Sequence, residues 1–203
     1  MVDLKSLNTK FERTFFKELK KMAMYMCIII AFVVLFGFVA TAHSQVLLVG
    51  DKRIKIHTSE QQCLAENMYW EARNQSKAAM LAVSHVVMNR VLDSRFPNEV
   101  CEVVYQGPTR KSWKDPTLRH PVKNRCQFSW YCDGKSDVPP KADENLWRET
   151  MMLARTFLYN YNYIIDPTDG ATHYHAYYVT PSWAKQKKRT ARIESHIFYR
   201  WKK

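Results

Sequence analysis

Glycine is scarce in this chain, with 5 among 203 residues, and proline is limited to 8. That leaves little room for a flexible linker and excludes a collagen-like repeat. No internal repeat and no low-complexity stretch is present. A hydrophobic content of 46% with 25% charged residues excludes a disordered chain. Long hydrophobic runs are lacking except for one, so the chain is not a polytopic membrane protein. Acid is also in short supply. Lys and Arg total 31 against 19 Asp and Glu, a net charge of +12. Such a balance points to an anionic partner: nucleic acid, a membrane surface or an acidic polymer. The length allows one domain, or two small ones.

The single apolar run narrows these options. Met22 to Ala40 carries no charge over 19 residues, about the length that spans a bilayer as a helix. Residues 1–21 hold six cations and three acids. By the positive-inside tendency, they form a basic cytoplasmic tail. Two readings of 22–42 compete. A single-pass transmembrane signal anchor fits the length of the run. A cleaved signal peptide fits Ala40-Thr41-Ala42, a small-x-small site. A buried core helix of this length would show a polar stripe, and this run has none. The expected organisation is a tail (1–21), an anchor or signal peptide (22–42), a tether (43–60) and a catalytic domain (61–203). The expected location is the cytoplasmic membrane, with the domain on the outer side, or secretion after cleavage near Ala42.

Residues 43–203 retain 25 cations and 16 acids, a balance of 25 − 16 = +9. Export makes nucleic acid an unsuitable partner for that charge and leaves envelope polymers. Cysteine usage agrees with export. Cys27 lies in the apolar run, and Cys63, Cys101, Cys126 and Cys132 lie beyond it. An even number outside the cytoplasm favours two disulfides, and three pairings are open. A zinc site is the rival, but Cys126-x5-Cys132 is not a usual ligand spacing.

Periodicity predicts an α+β, mainly helical domain of four helices and a small antiparallel β-ribbon. Ser59-x-x-Gln62 is a capping-box pattern, followed by Leu64, Met68 and Ala72 at helical spacing. Ser76 is positioned to cap a second helix bearing Met80, Val83, Val87 and Val91. Asn98 opens a short third helix. Residues 106–140 read as a long loop pinned by cysteines. Asp143 begins a fourth helix through Asn160. Asp166-Pro-Thr-Asp-Gly170 is turn chemistry. Thr172–Val179 and Ile193–Tyr199, rich in β-branched and aromatic residues, are expected to pair.

Glu71 follows Leu64 and Met68 at i+7 and i+3 and so sits beside the buried face. A desolvated carboxyl there keeps its proton to higher pH and can serve as a general acid. The alternative is an ion pair with Arg73 or another basic neighbour. Glu66, five residues earlier, is turned by about 140° and is a poor second carboxylate. His173 and His175 alternate in Thr-His-Tyr-His-Ala, so both point to one strand face. They read as a polar substrate wall or as a metal pair with His196 as a third ligand. Asn124 to Gly134 mixes aromatics with small polar residues, which suits sugar contact. It equally suits a pinned core loop, and Trp183, Tyr177 and Tyr178 carry the same ambiguity. Lys185, Lys187, Lys188 and Arg189 read as a solvated face.

Several stretches taken together resemble the cell wall hydrolase family typified by the spore cortex-lytic enzymes. They are Cys63 to Arg73 (CLAENMYWEAR), Ala82 to Arg90 ending in Met-Asn-Arg, Arg95-Phe-Pro97 and Cys101 to Gln106. Cys126 to Gly134, Asp166-Pro167, Gly170 to His175, Pro181-Ser-Trp183 and Arg192 to Tyr199 follow in the family's order. The resemblance implies a lysozyme-like catalytic domain that cleaves peptidoglycan glycan strands by lytic transglycosylation. It implies Glu71, in Tyr-x-Glu-Ala-Arg, as the single acid and base, with 1,6-anhydro-muramyl products. It makes Tyr69, Gln127, Ser129, His173, Tyr174, His175 and Trp183 the expected substrate-binding residues. Neither a metal nor a cofactor is implied. A true muramidase, a zinc hydrolase and a wall-binding module without catalysis are the alternatives. The sequence departs from the family pattern at Asn74-Gln75, in the basic stretch Arg110 to Lys123 and at Glu194, where glycine is usual.

Overall fold

A computed structural model of the chain describes residues 20–22, 24–27 and 45–202. Residues 20–22 and 24–27 are helical, and the remainder of the expected tail and span lies outside the described residues. Among the described residues no helix is long and apolar enough to cross a membrane. His43–Lys203 form a compact unit. That unit is mainly helical with small antiparallel sheets.

The expected tether is instead a hairpin. β1 (Gln45–Val49) pairs antiparallel with β2 (Lys52–Ile56) across a turn at Gly50, whose φ of 57° suits glycine. The alternation that identifies this ribbon is partly masked by cations on its outer face. Its inner residues Ile54 and Ile56 are buried in the main core. β2 runs directly into α1 (Thr58–Ala72), so His57 takes the N-cap position without a side-chain cap. The expected capping box is therefore unused. Ser59 lies inside the first turn, and Gln62 donates to Glu66 one turn on, at 3.0 Å.

Leu64, Met68 and Ala72 of α1 are fully buried, as the spacing predicts. α2 (Lys77–Leu92) starts at Ser76, whose hydroxyl accepts from the Ala79 N–H at 3.4 Å. α3 (Val100–Val104) starts after Glu99 rather than Asn98. Disulfide Cys63–Cys101 ties α3 to α1, and the Cys101 N–H donates to the buried Glu60 at 3.1 Å. Burial raises the Glu60 pKa. α4 (Glu144–Tyr159) buries Thr150, Ala154, Phe157 and Leu158.

The long loop holds more structure than periodicity shows. β3 (Thr109–Lys111) and β4 (Arg119–Pro121) form an exposed hairpin within it. Three-residue strands rich in charge leave no alternating signal. Disulfide Cys126–Cys132 closes the loop that follows. The expected ribbon is present as β5 (His173–Ala176) against β7 (His196–Arg200). A third strand, β6 (Lys188–Ile193), pairs with the other edge of β7. Lys188 and Arg189 of the expected solvated face lie on this strand and are exposed, as is typical of an edge strand. Lys187 is not on that face: it is buried, with its ammonium 3.0 Å from the centroid of the Trp201 ring. Phe198 of β7 packs with Ala82 and Val86 of α2, seating the sheet on that helix.

Candidate active site

A cleft of about 530 Å³ lies where the end of α1, α2, the disulfide loop and the sheet meet. Glu71, in the last turn of α1, lines it together with Arg90 of α2, Gln127, Phe128 and Ser129 of the loop, and Tyr174 and His175 of β5. Glu71 is the one carboxylate among the described residues that line the cleft.

Burial raises the Glu71 pKa, and desolvation is the largest cause. The Tyr174 phenol and the Arg90 guanidinium act in the opposite direction and favour its charged form. The Tyr174 hydroxyl is buried without a hydrogen-bond partner of good geometry, and burial first, then the neighbouring Glu71 carboxyl, pushes its own pKa well up. Arg73, the anticipated ion-pair partner of Glu71, instead lies over the rings of Tyr69 and Trp70, 5.1 Å and 4.8 Å from their centroids.

Arg90 is only 4% exposed. Its Nε donates to the Thr172 carbonyl at 2.8 Å, and its guanidinium lies over Phe96 and Phe128. Its Nη1 is buried and lacks a partner in the described structure. Desolvation lowers its pKa to about 10. A buried donor without a partner costs about 1–3 kcal/mol, so such atoms on a cleft wall are suited to a polar ligand. The Tyr174 hydroxyl and His196 Nδ1, at the same cleft, are likewise buried without a partner.

The Met-Asn-Arg stretch has a mechanical role. Asn89 donates to Asp166 at 2.9 Å and to the Ala171 carbonyl at 3.0 Å. Asp166 in turn accepts from the N–H groups of Thr168 and Gly170. The following residue, Arg90, holds Thr172. Two consecutive side chains thus fasten the turn that delivers Tyr174 to Glu71. On the opposite wall, Trp130 Nε1 donates to Asn67 of α1 at 3.2 Å, and the Gln127 N–H donates to the Gln106 carbonyl at 2.8 Å. These bonds and Cys126–Cys132 hold the segment bearing Gln127 and Ser129.

The expected substrate residues divide. Gln127, Ser129, Tyr174 and His175 line the cleft. Tyr69 does not. It is fully buried, packs edge-on against Trp70 and Trp147, and donates its hydroxyl to Asp143. An aromatic two residues from Glu71 points elsewhere because two residues turn a helix by about 200°. His173 and Trp183 join a ring cluster with Trp201 and Tyr199 and are not cleft-lining residues. His175 Nε2 is 3.0 Å from the Tyr199 hydroxyl.

The three histidines of the zinc reading do not converge. His196 pairs with Ala176, on the face of Tyr174, whereas His173 and His175 stand on the other face with Tyr199 and Ile197. Sequence reasoning left Arg90 without a chemical role, although it is a cation amid apolar α2 positions. It gave no cleft role to Asn74, Gln75, Phe128, Ala176 or Ser195, which also line the cleft.

Glu194 adopts a φ of 48°, the left-handed conformation that makes glycine usual at this turn. Its carboxylate accepts from the Ser76 N–H and hydroxyl, while the Ser195 N–H donates to the Gln75 side chain at 3.4 Å. The glutamate therefore clasps the β6–β7 turn to the start of α2 at the cleft edge.

A family model described as Cell Wall Hydrolase matches residues 74–199, more than half of the chain. The chain belongs to the cell wall hydrolase family. The matched range begins three residues after Glu71 and contains Arg90, Gln127, Ser129, Tyr174, His175 and His196. The chain is also similar to the catalytic domain of the Bacillus cereus SleB protein, at 23% identity over 70% of this chain and 89% of that one, with a TM-score of 0.46. It is similar to the catalytic domain of the germination-specific lytic transglycosylase SleB from Bacillus anthracis, at 21% identity over 76% and 100%, with a TM-score of 0.48. No curated protein matches the chain.

Proposed function

We propose that this cell wall hydrolase cleaves peptidoglycan glycan strands as a lytic transglycosylase on a lysozyme-like domain, with Glu71 as its acid and base. The observation that carries the reading is a desolvated carboxyl in a cleft that has no other carboxylate on its described walls. Protonated Glu71 donates to the glycosidic oxygen as the C1–O bond breaks. The resulting carboxylate then takes the proton of the muramyl 6-hydroxyl as O6 closes on C1, giving the 1,6-anhydro ring. One group serves both steps, so neither a nucleophile nor a water-activating partner is required, unlike ordinary glycoside hydrolysis. Arg90 and Tyr174 stabilise the carboxylate between the two steps. Gln127, Ser129 and His175 supply polar contacts along the walls, and Tyr178 offers an exposed ring at the cleft.

A hydrolytic muramidase is the second reading. Asp133 and Asp137 line a pocket of about 390 Å³ that shares Ser129 with the cleft, and either could activate water. We place the enzyme on the outer face of the cytoplasmic membrane, anchored through residues 22–42, or released after cleavage near Ala42. Glu71→Gln should lower peptidoglycan cleavage by about 10²–10⁴-fold, the usual contribution of a general acid. The circular dichroism spectrum and cooperative melting should persist. Unimpaired cleavage by the folded variant would refute the assignment.

A further inference from the structure

The outer face of the first hairpin has no role in the cleft. In the β1–β2 register Val46 stands opposite Lys55 and Leu48 opposite Arg53, so two apolar and two cationic side chains share one face. The other face, with Ile54 and Ile56, is spent on the core. Val46 is 54% and Leu48 56% exposed. The apolar surface continues beyond the hairpin. Val46 and Tyr159, at the end of α4, line one small groove. Asn162 donates to the Leu48 carbonyl at 2.8 Å, which brings the next residue, Tyr163, alongside. Tyr163 is 87% and nearby Ile165 is 90% exposed. Exposed aliphatic and tyrosine side chains flanked by Lys and Arg match the composition of a membrane–water interface. On this outer face Arg53 and Lys55 supply cations suited to anionic headgroups, whereas Lys52 stands on the other face and donates to the Leu92 carbonyl.

The position of this face along the chain selects the occupant. β1 begins at Gln45, three residues after Ala42, and three extended residues reach at most about 11 Å. The stretch that was expected to be a long tether is folded onto the core. If residues 22–42 span the bilayer, the hairpin is therefore within about 11 Å of the point where the chain leaves it.

We propose that the face formed by Val46, Leu48, Arg53, Lys55, Tyr163 and Ile165 docks on the anionic phospholipid surface of the membrane that holds the chain. This rests on the membrane-spanning reading of residues 22–42 and not on the cleavage chemistry. The hairpin feeds the N-terminal end of α1, whereas Glu71 lies in its last turn, about 20 Å along the helix at 1.5 Å per residue. Docking at one end of α1 leaves the cleft at the other end open to glycan.

The test uses the full chain in vesicles containing phosphatidylglycerol, with a diazirine-bearing residue in place of Leu48. A second protein carries it in place of Val138, an exposed position ahead of the opposite end of α4. The expected result is severalfold more phospholipid adduct from position 48 than from position 138, falling when phosphatidylcholine replaces the anionic lipid. Equal adduct from the two positions in a chain that resists carbonate extraction overturns the docking face and leaves the anchor standing. Adduct at position 48 that is indifferent to lipid charge overturns the assignment to anionic headgroups. A chain-to-chain adduct from position 48 overturns the proposal in favour of a second copy. Extraction of the chain by carbonate removes the anchor and the docking proposal together.

Discussion

At the scale of residues, catalysis in this account depends on how three side chains divide the work of tuning one carboxyl. Burial raises the Glu71 pKa, while Tyr174 and Arg90 limit the rise. The enzyme must start with Glu71 protonated, so activity falls as pH increases through the Glu71 pKa. Tyr174→Phe removes a group that favours the carboxylate. It should move the alkaline limb of the pH–rate profile to higher pH, measured as kcat/KM against pH. The ring and its packing on Phe128 and Phe198 are kept, so the melting temperature should change little. An unmoved or acid-shifted limb would contradict the arrangement. Linkage adds a sign for stability. A carboxyl with a raised folded pKa binds its proton more tightly in the folded state, so its contribution declines as pH rises from the ordinary Glu range through the folded pKa. Glu71→Gln should therefore raise the melting temperature more at pH 7 than at pH 4, alongside its loss of activity. The apolar helix face marked Glu71 as a desolvated acid but left an ion pair open, and only the family resemblance singled it out; the structure puts it in the cleft with a raised pKa. Tyr69, which the resemblance made a substrate residue, is buried on another face of α1 and bonded to Asp143.

At the scale of elements, the helices were legible wherever one face is apolar and a cap or turn residue marks an end. Ser76 and Asp143 show this, each standing at the residue before a helix. The β5–β7 pair was legible from its aromatic and β-branched composition. Three strand regions were hidden because charged or short strands at exposed edges carry little alternation: the β1–β2 hairpin, the β3–β4 hairpin and β6. The cleft was only partly legible, since its walls join residues from positions 71 to 196 and periodicity is blind to such meetings. The cysteines were read as disulfides without a pairing. The structure pairs Cys63 with Cys101 and Cys126 with Cys132. These two bridges should behave differently. Cys63–Cys101 spans a sequence separation of 38 and joins two core helices. By loop-closure entropy its replacement by alanines should cost about 4 kcal/mol of stability. Cys126–Cys132 spans 6 residues, so its loss should cost about 2 kcal/mol. It also frees the segment that carries Gln127 and Ser129, and KM for glycan should rise. Denaturant melts and kinetics on the two double variants check this, and equal effects on KM would count against the loop's role.

At the scale of the whole molecule, charge and topology point the same way. A basic unit with a net surplus of 25 − 16 = +9 over residues 43–203 suits an anionic envelope. The unit places the cleft that holds Glu71 at one end of α1 and a mixed apolar and cationic face at the other. In the proposed arrangement the hairpin of residues 45–56 docks on the membrane and leaves the cleft, at the other end of α1, open to glycan. The central claim is that one carboxyl carries out both halves of the cleavage. Its most direct test is mass spectrometry of the products released from purified peptidoglycan by the wild-type chain, with Glu71→Gln in parallel. The account predicts 1,6-anhydro-muramyl ends from the wild type and none from the variant. Reducing muramyl ends from the wild type would contradict it and assign a water-activating role to a second carboxylate, Asp133 or Asp137.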